Sequence, residues 1–360
     1  MSKKEENLIF EGKLREYENI IIDYYVERAI FTGQSNTLSI IIGYLSIHGK
    51  LTQTQLKKLT GFSKSTISTG ISNLINVRYL KKEKIPGKRE YEYYLSFDSQ
   101  DSIDDALGSV ELEINFFREK INELENKFTE TYKGYDLLLI RLNEVLEVFK
   151  LYQNCLKNLT NPNDNVKINY EQIEKGNKVL TAKDMDYILE DFDPNIKQFE
   201  NKIIDFFKYQ SAYSTLKDYM LTVFVYFILR KVLTQGKIKN LTGLSVGKIS
   251  EVVSNLIKKG HIIEINKENY RELIPKKLER QKLYGMISIK DSFFVSGINS
   301  LNEMLKWEKK FVSIKEELNI RKDELESLHG YQKIKIKVNE FIELMSVYKN
   351  ASKLFSKLLQ

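Results

Sequence analysis

Between Lys64 and Asn73 the chain sets one ammonium, five hydroxyls and one amide, among them Lys64, Ser65, Thr66, Ser68, Thr69 and Asn73, with no carboxylate or imidazole. Such a set donates and accepts hydrogen bonds. It suits recognition of a polar surface, not bond cleavage. Fifteen residues on, Lys88 and Arg89 stand side by side after Pro86-Gly87, with Lys84 just before. Adjacent cations at a turn suit contact with an anion. No glycine-rich phosphate loop or nucleophile elbow occurs. One cysteine, Cys155, and three scattered histidines, His48, His261 and His329, supply no metal set, so no cofactor is expected and the chain does not read as an enzyme. Cys155 lies on an apolar helical face and reads as a buried structural thiol.

The same phrase is spelled twice. Leu51–Lys82 aligns without a gap on Leu233–Glu264, 182 residues later, with 14 identities in 32 positions. "YENIIIDYY" from Tyr17 matches "FENKIIDFF" from Phe199 at that offset, and "NEVLEVFKLYQNCLK" from Asn143 matches "NEFIELMSVYKNASK" from Asn339 at an offset of 196. We place the gain of fourteen residues between the second hairpin and the last helix. In the second copy Lys248, Ser250 and Asn255 take the places of Thr66, Ser68 and Asn73, and Lys267, Asn269 and Arg271 provide polar groups beyond. Val246, Gly247 and Glu251 replace Lys64, Ser65 and Thr69. A carboxylate there repels an anionic partner and can only accept hydrogen bonds.

Charge follows the duplication. Residues 50–94 and 231–282 each carry a net charge of +7, and the remainder carries −7, giving +7 for all 360 residues. Segregation of this kind is the footprint of a polyanion-binding surface on a neutral-to-acidic scaffold.

The elements that must present these residues are legible. Thr52 and Gln55 have capping-box spacing, Gly61 permits a left-handed helix stop, and Ser63 caps a second helix whose inner face is Ile67, Ile71, Leu74 and Ile75. Thr234 and Ser245 are the matching caps, with Ile249, Val253, Leu256 and Ile257 inside. "RYLKKEKI" and "EYEYYLSF" read as strands of a hairpin turning at Pro86-Gly87. "IIEINKENYRELI" reads as its counterpart in the second copy, without such a turn. Leu138, Leu142, Val145, Phe149, Tyr152, Leu156 and Leu159 alternate by four and three, and Ile334, Val338, Phe341, Met345, Tyr348, Ser352 and Phe355 do the same in copy two. Both are heptad seams whose burial outweighs surface ion pairs, at about 1.5–3 kcal/mol per large side chain against about 0.3–0.5 per pair. Thr160 to Asn195 reads as a turn-rich linker with a short helix after Thr181, long enough to let the seams meet within one chain.

The carriers "LTGFSKSTISTGISNLINVRYLKK" and "PGKREYEYY", with flanking helices, resemble winged-helix transcription regulators of the MarR type, especially the GbsR-like branch. The resemblance implies a mainly α fold with small β-wings: tandem winged helix-turn-helix domains with long terminal helices forming an intrachain pseudo-dimer. Its first unit would span residues 1–160 (helix-turn-helix 52–76, wing 78–97, long helices 104–159), a linker 161–194, and its second unit 195–360 (helix-turn-helix 234–258, wing 261–275, long helices 298–359). It also implies double-stranded DNA as the partner, read by Lys64, Ser65, Thr66, Ser68, Thr69 and Asn73 in the major groove with Lys84, Lys88 and Arg89 on the wing. Lys248, Ser250, Asn255, Lys267, Asn269 and Arg271 are the second set. Two such helices about 34–36 Å apart cover roughly 20 base pairs, and unlike helices make the site asymmetric. The competing expectation is a scaffold module whose winged helices bind proteins. The N-terminus lacks a signal-peptide run, and Leu221–Leu229 is too short to span a bilayer, so no membrane partner and a cytoplasmic, nucleoid-associated location are expected. Further homo-oligomerisation is left open.

Overall fold

The computed structural model describes residues 8–32, 35–76, 79–96, 102–160, 180–209 and 217–359. Most of the linker read from the sequence, 161–179, and the side chain of Leu159 lie outside the described part. The fold is mainly α with small antiparallel sheets. The first half runs α1 (Gly12–Thr32), α2 (Asn36–His48), β1 (Leu51–Thr52), α3 (Gln53–Thr60), α4 (Lys64–Asn76), β2 (Leu80–Lys84), β3 (Tyr91–Leu95), α5 (Ser102–Lys127) and α6 (Tyr135–Thr160). α7 (Ala182–Leu189) follows. The second half runs α8 (Pro194–Tyr209), α9 (Asp218–Arg230), β4 (Val232–Thr234), α10 (Gln235–Thr242), α11 (Val246–Lys258), β5 (Ile263–Glu264), β6 (Leu283–Gly285), α12 (Ile289–Leu305), α13 (Glu308–Ile320), α14 (Lys322–Leu325) and α15 (Tyr331–Leu358). Among the described residues no helix is long and apolar enough to cross a membrane.

Local signals act where the sequence puts them. The Thr52 side chain accepts from the backbone of Gln55, whose side chain returns the bond, and Gly61 stops α3 at φ 72°. Ser63 accepts from the backbone N–H of Thr66 at 3.1 Å and starts α4. Thr234 and Ser245 cap α10 and α11 in the same manner, and Gly243 stops α10 at φ 70°. Thr181 forms a capping box with Asp184 and starts α7.

Two compact units emerge, and neither is a linear half of the sequence. Unit 1 joins Met1–Ser102 to Leu301–Asn350, whereas unit 2 joins Ile103–Ser300 to Ala351–Gln360. Each copy of the repeated phrase is therefore closed by long helices from the other copy. In unit 1, Ile334, Val338, Phe341 and Met345 of α15 share a core with Ile41, Leu45, Leu56, Ile67 and Leu74. Tyr24 of α1 lies edge-on to Trp307, Phe311 and Phe341, with centroids 4.8–5.7 Å away. In unit 2, Leu138, Leu142, Val145 and Phe149 of α6 share a core with Phe199, Ile203, Leu221, Val225, Ile249 and Leu256. Most seam residues are buried as their spacing requires, with Tyr152, Tyr348 and Ser352 half-buried, and the two seams meet where the ring centroid of Tyr152 lies 6.1 Å from that of Phe355 in unit 2. Their N-terminal parts, Leu138 to Phe149 and Ile334 to Met345, lie on the opposite copy's α8–α9 and α1–α2 layers, because a heptad stripe demands an apolar partner without specifying another heptad.

A paired glycine device marks this exchange. Gly134 (φ 96°) separates α5 from α6, and the ring of Phe192 fills the space a Cβ would need, 2.5 Å from its position. Gly330 (φ 100°), 196 residues later, does the same in unit 1 with Phe10, at 2.4 Å. Phe10 and Phe192 are themselves 182 apart. Each notch is thus filled by an aromatic ring from the other copy. Only glycine combines that φ with that contact.

Each unit holds a three-stranded antiparallel sheet, in the order β1-β3-β2 and β4-β6-β5. Leu51 pairs with Tyr93 in the first, and Leu233 pairs with Tyr284 in the second. Tyr93 and Tyr284 occupy the same ladder position 191 residues apart, against 182 for the helices before them. Nine of the fourteen extra residues therefore lie inside the second hairpin connection, and not after it. The segment 261–275 is not a closed hairpin: Lys267–Tyr270 forms a 3-10 turn capped by Asn266, and the return strand waits until Leu283.

Candidate functional site

In unit 1 the α4 face matches its pattern. Ile67, Ile71 and Leu74 are buried, with Ile75 half-buried beside them, whereas Lys64, Ser65, Ser68, Thr69 and Asn73 are exposed and Thr66 is half-buried. Gly70 sits on the inner face, where a Cβ would come within 2.7 Å of Ile41 Cδ1, so α4 packs tightly on α2. The hydroxyls divide into two groups. Ser63 Oγ lies 2.8 Å from both Ser65 Oγ and Thr66 Oγ1, which ties those two to the helix cap. Ser68 and Thr69 stand one turn further on and Asn73 two turns on, and they make no side-chain hydrogen bond among the described residues.

β2 and β3 pair over five residues, from Leu80↔Leu95 to Lys84↔Tyr91, and turn through Gly87 at φ 75°. The hairpin is fastened, from mid-strand to the turn, to the start of α3 and to Lys50 just before β1. Thr54 Oγ1 donates to Glu90 at 2.9 Å, Gln53 Nε2 donates to the Tyr93 hydroxyl at 3.2 Å, and Lys50 pairs with Glu83. Glu83 and Glu90 are occupied in this way. Lys84, Lys88 and Arg89 remain exposed without an ion pair among the described residues. Unit 1 thus joins a carboxylate-free polar helix face to a cationic turn.

Unit 2 repeats the scaffold and changes the surface. Val246 is 56% exposed where Lys64 stands in unit 1. Lys248 Nζ donates to Glu251 at 2.8 Å and lies 4.2 Å from the centroid of the Tyr219 ring. That hydrogen bond lowers the pKa of Glu251 and raises that of Lys248, so each holds the other charged. Ser250 is exposed and Asn255 half-buried. Ile257, expected on the inner face, is 37% exposed because the last turn of α11 runs past the apolar layer that Leu256 still reaches.

The second hairpin residues also depart from expectation. Lys267 Nζ donates to the carbonyls of Leu278 at 3.0 Å and Glu279 at 2.7 Å, so it braces the loop internally and is not offered outward. Asn269 and Arg271 are exposed on or beside the 3-10 turn, not at a hairpin tip. Further exposed cations of this connection, Lys276, Lys277 and Arg280, lie beyond the boundary drawn at 275. Their signal was present in the run "PKKLERQK", which contributes to the net charge of 231–282.

Buried polar groups are engaged in scaffolding. Arg141 of α6, 1% exposed, donates to the carbonyls of Ile228 (2.6 Å) and Met286 (2.8 Å) and to Glu144 (2.7 Å), clamping α6 to α9 and the end of β6. Cys155 is buried, and that burial pushes its thiol up to about 12. His261 meets Ser296 Oγ at 3.0 Å, and desolvation with the nearby Lys259 charge lowers it to about 3, so it is neutral at pH 7. No protein-family model and no curated protein sequence matches the chain.

Proposed function

We propose that the two modules are winged helix-turn-helix units and that the chain is a sequence-specific double-stranded DNA-binding transcription regulator, acting as a single-chain pseudo-dimer on an asymmetric site. The observation that carries this reading is the combination in unit 1 of an exposed helix face without carboxylates and the exposed Lys88–Arg89 turn. In this mechanism no bond is made or broken. Ser68, Thr69 and Asn73 read base edges in the major groove, where a well-made bidentate contact is worth about 1–3 kcal/mol of discrimination. Lys64, Lys84, Lys88 and Arg89 neutralise phosphates and make affinity fall with salt. Helix exchange supports the pseudo-dimer, since each module is completed by the other half of the same chain.

The test is a salt titration of duplex binding by the full chain. Replacing Lys88 and Arg89 together by Ala is expected to weaken binding and to flatten the log–log salt slope by about 0.9 per lost phosphate contact. Unchanged affinity and slope would remove the turn from the interface. A second reading, that the second module docks a protein, is favoured by exposed Val246 and by the Lys248–Glu251 pair, which cancels charge on α11. Site selection from random duplexes separates the two. A two-part asymmetric motif supports DNA reading by both modules, and a single half-site leaves α11 to other work.

A further inference from the structure

The connection from β5 to β6 runs from Ile265 to Lys282, against Ile85 to Glu90 in the first sheet. It is not slack. Ile265, Leu278 and Leu283 are buried in a small core with Leu180, Met185, Ile188 and Val232, so α7 and the sheet hold it from beneath. Lys267 ties its middle through two carbonyls, and Gln281 Nε2 donates to the Lys277 carbonyl at 3.1 Å. Pro275 precedes a 3-10 turn, Lys276–Leu278, and Glu279 continues in the helical region. Side chains three apart eclipse in such a turn. With Leu278 inward, Lys277 and Arg280 share one outward face, while Lys276 shares its own with Glu279. Among the described residues Lys277 and Arg280 make no ion pair, whereas Lys282 is held by Glu264 at 3.1 Å.

We propose that Lys277 and Arg280, presented by this braced 3-10 turn, form the phosphate contact of the second module to duplex DNA. They would replace the hairpin tip that Lys88 and Arg89 occupy in the first. The proposal rests on the DNA-binding reading above. Position supports it, because the turn lies in the same sheet connection as the first module's cationic tip. So does chemistry, because both connections present exposed lysine and arginine that make no ion pair among the described residues. These are Lys88 and Arg89 in the first and, in the second, Arg271 and Lys276 besides Lys277 and Arg280, of which only the last two share one face of the braced turn. A lipid surface is disfavoured, since the apolar residue of the turn, Leu278, is 2% exposed and faces inward, leaving nothing to insert.

The experiment uses the full chain and a 40-base-pair random-sequence duplex, titrated across salt by fluorescence anisotropy. Lys277→Ala with Arg280→Ala is expected to lower the log–log slope by about 1.8 and to weaken binding roughly ten-fold or more near 0.1 M salt. Lys277→Arg with Arg280→Lys should restore the slope, and thermal melting should not move. An unchanged slope in the Ala variant, while Lys88→Ala with Arg89→Ala still flattens it, overturns this inference alone. Absence of salt-sensitive binding by the parent chain overturns both this inference and the DNA-binding reading. Loss of binding to phosphatidylglycerol vesicles in the Ala variant, with duplex binding intact, would also overturn it in favour of a lipid contact.

Discussion

Glu18 in unit 1 and Glu200 in unit 2 occupy the same place 182 residues apart, and both are fully buried. Their partners differ. Glu18 meets His48 Nε2 at 2.5 Å, and Glu200 takes a bidentate pair from Arg230, with both bonds at 2.7 Å. A buried carboxylate needs a donor facing it, and either residue supplies one. The outer helix faces are under no such demand. α4 keeps hydroxyls and an ammonium, whereas α11 has acquired an exposed valine and a self-neutralising Lys248–Glu251 pair. Paired positions in the interior therefore change by compensation, and surface positions change freely. The two modules share a skeleton and offer different chemistry to a partner.

The largest expected effect breaks the interior half of that comparison. Arg230→Met leaves Glu200 buried without its partner and should destabilise unit 2 by about 3–5 kcal/mol. The one tryptophan, Trp307, is buried in unit 1. Its fluorescence should follow that unit while circular dichroism follows both. An early dichroism transition that precedes the fluorescence change is expected, and coincident, unshifted transitions would show that the pair contributes little.

Gly134→Ala forces a Cβ onto Phe192 at a φ that L residues rarely adopt. A cost of about 2–4 kcal/mol follows from strain and overpacking together. Gly330→Ala should do the same to unit 1 against Phe10. An innocuous result at either glycine would mean the exchanged packing is looser than the contact implies. On the surface side, Glu251→Thr restores the unit 1 residue and frees Lys248, so duplex affinity should rise. A fall would mean instead that the carboxylate accepts from a base.

The smallest effect concerns pH. Lys259, 7% exposed, is lowered to about 8 chiefly by desolvation, with Lys217 adding repulsion. Between about pH 8 and 10.5 the unfolded chain keeps a proton that the folded chain has released. The cost of this lysine is therefore complete below pH 8 and relieved as pH rises through that window. Unit 2 should melt higher at pH 9.5 than at pH 8. Lys259→Met should remove the difference, and persistence of the slope in that variant would assign it to another group.

What the sequence disclosed was local. Thr52, Gly61, Ser63 and Pro86-Gly87 act through bonds or torsions within a few residues, so their roles survive any tertiary arrangement. The α4 face was legible for the same reason, since apolar residues at helical spacing fix which side is turned out. Partner choice was not. Leu138 to Leu156 are buried equally well against their own half, against the other seam, or against α8 and α9, and periodicity does not separate these. The clue lay in two offsets, with Gly134 and Gly330 following one register and Phe10 and Phe192 the other, which only the fold brings together. The second hairpin was misplaced because the inserted residues were assigned to its far side, and further exposed cations of its connection fell outside the boundary.

Helix exchange has a consequence for how this chain can change over generations. After most duplications either copy can be lost, trimmed or recombined away while its sibling survives. Here each copy lends the other its roof, so deletion of one strips the survivor of the helices that close its core. The fusion acts as a ratchet: once made, it lets the two outward faces drift toward separate tasks, while their interiors must be inherited together.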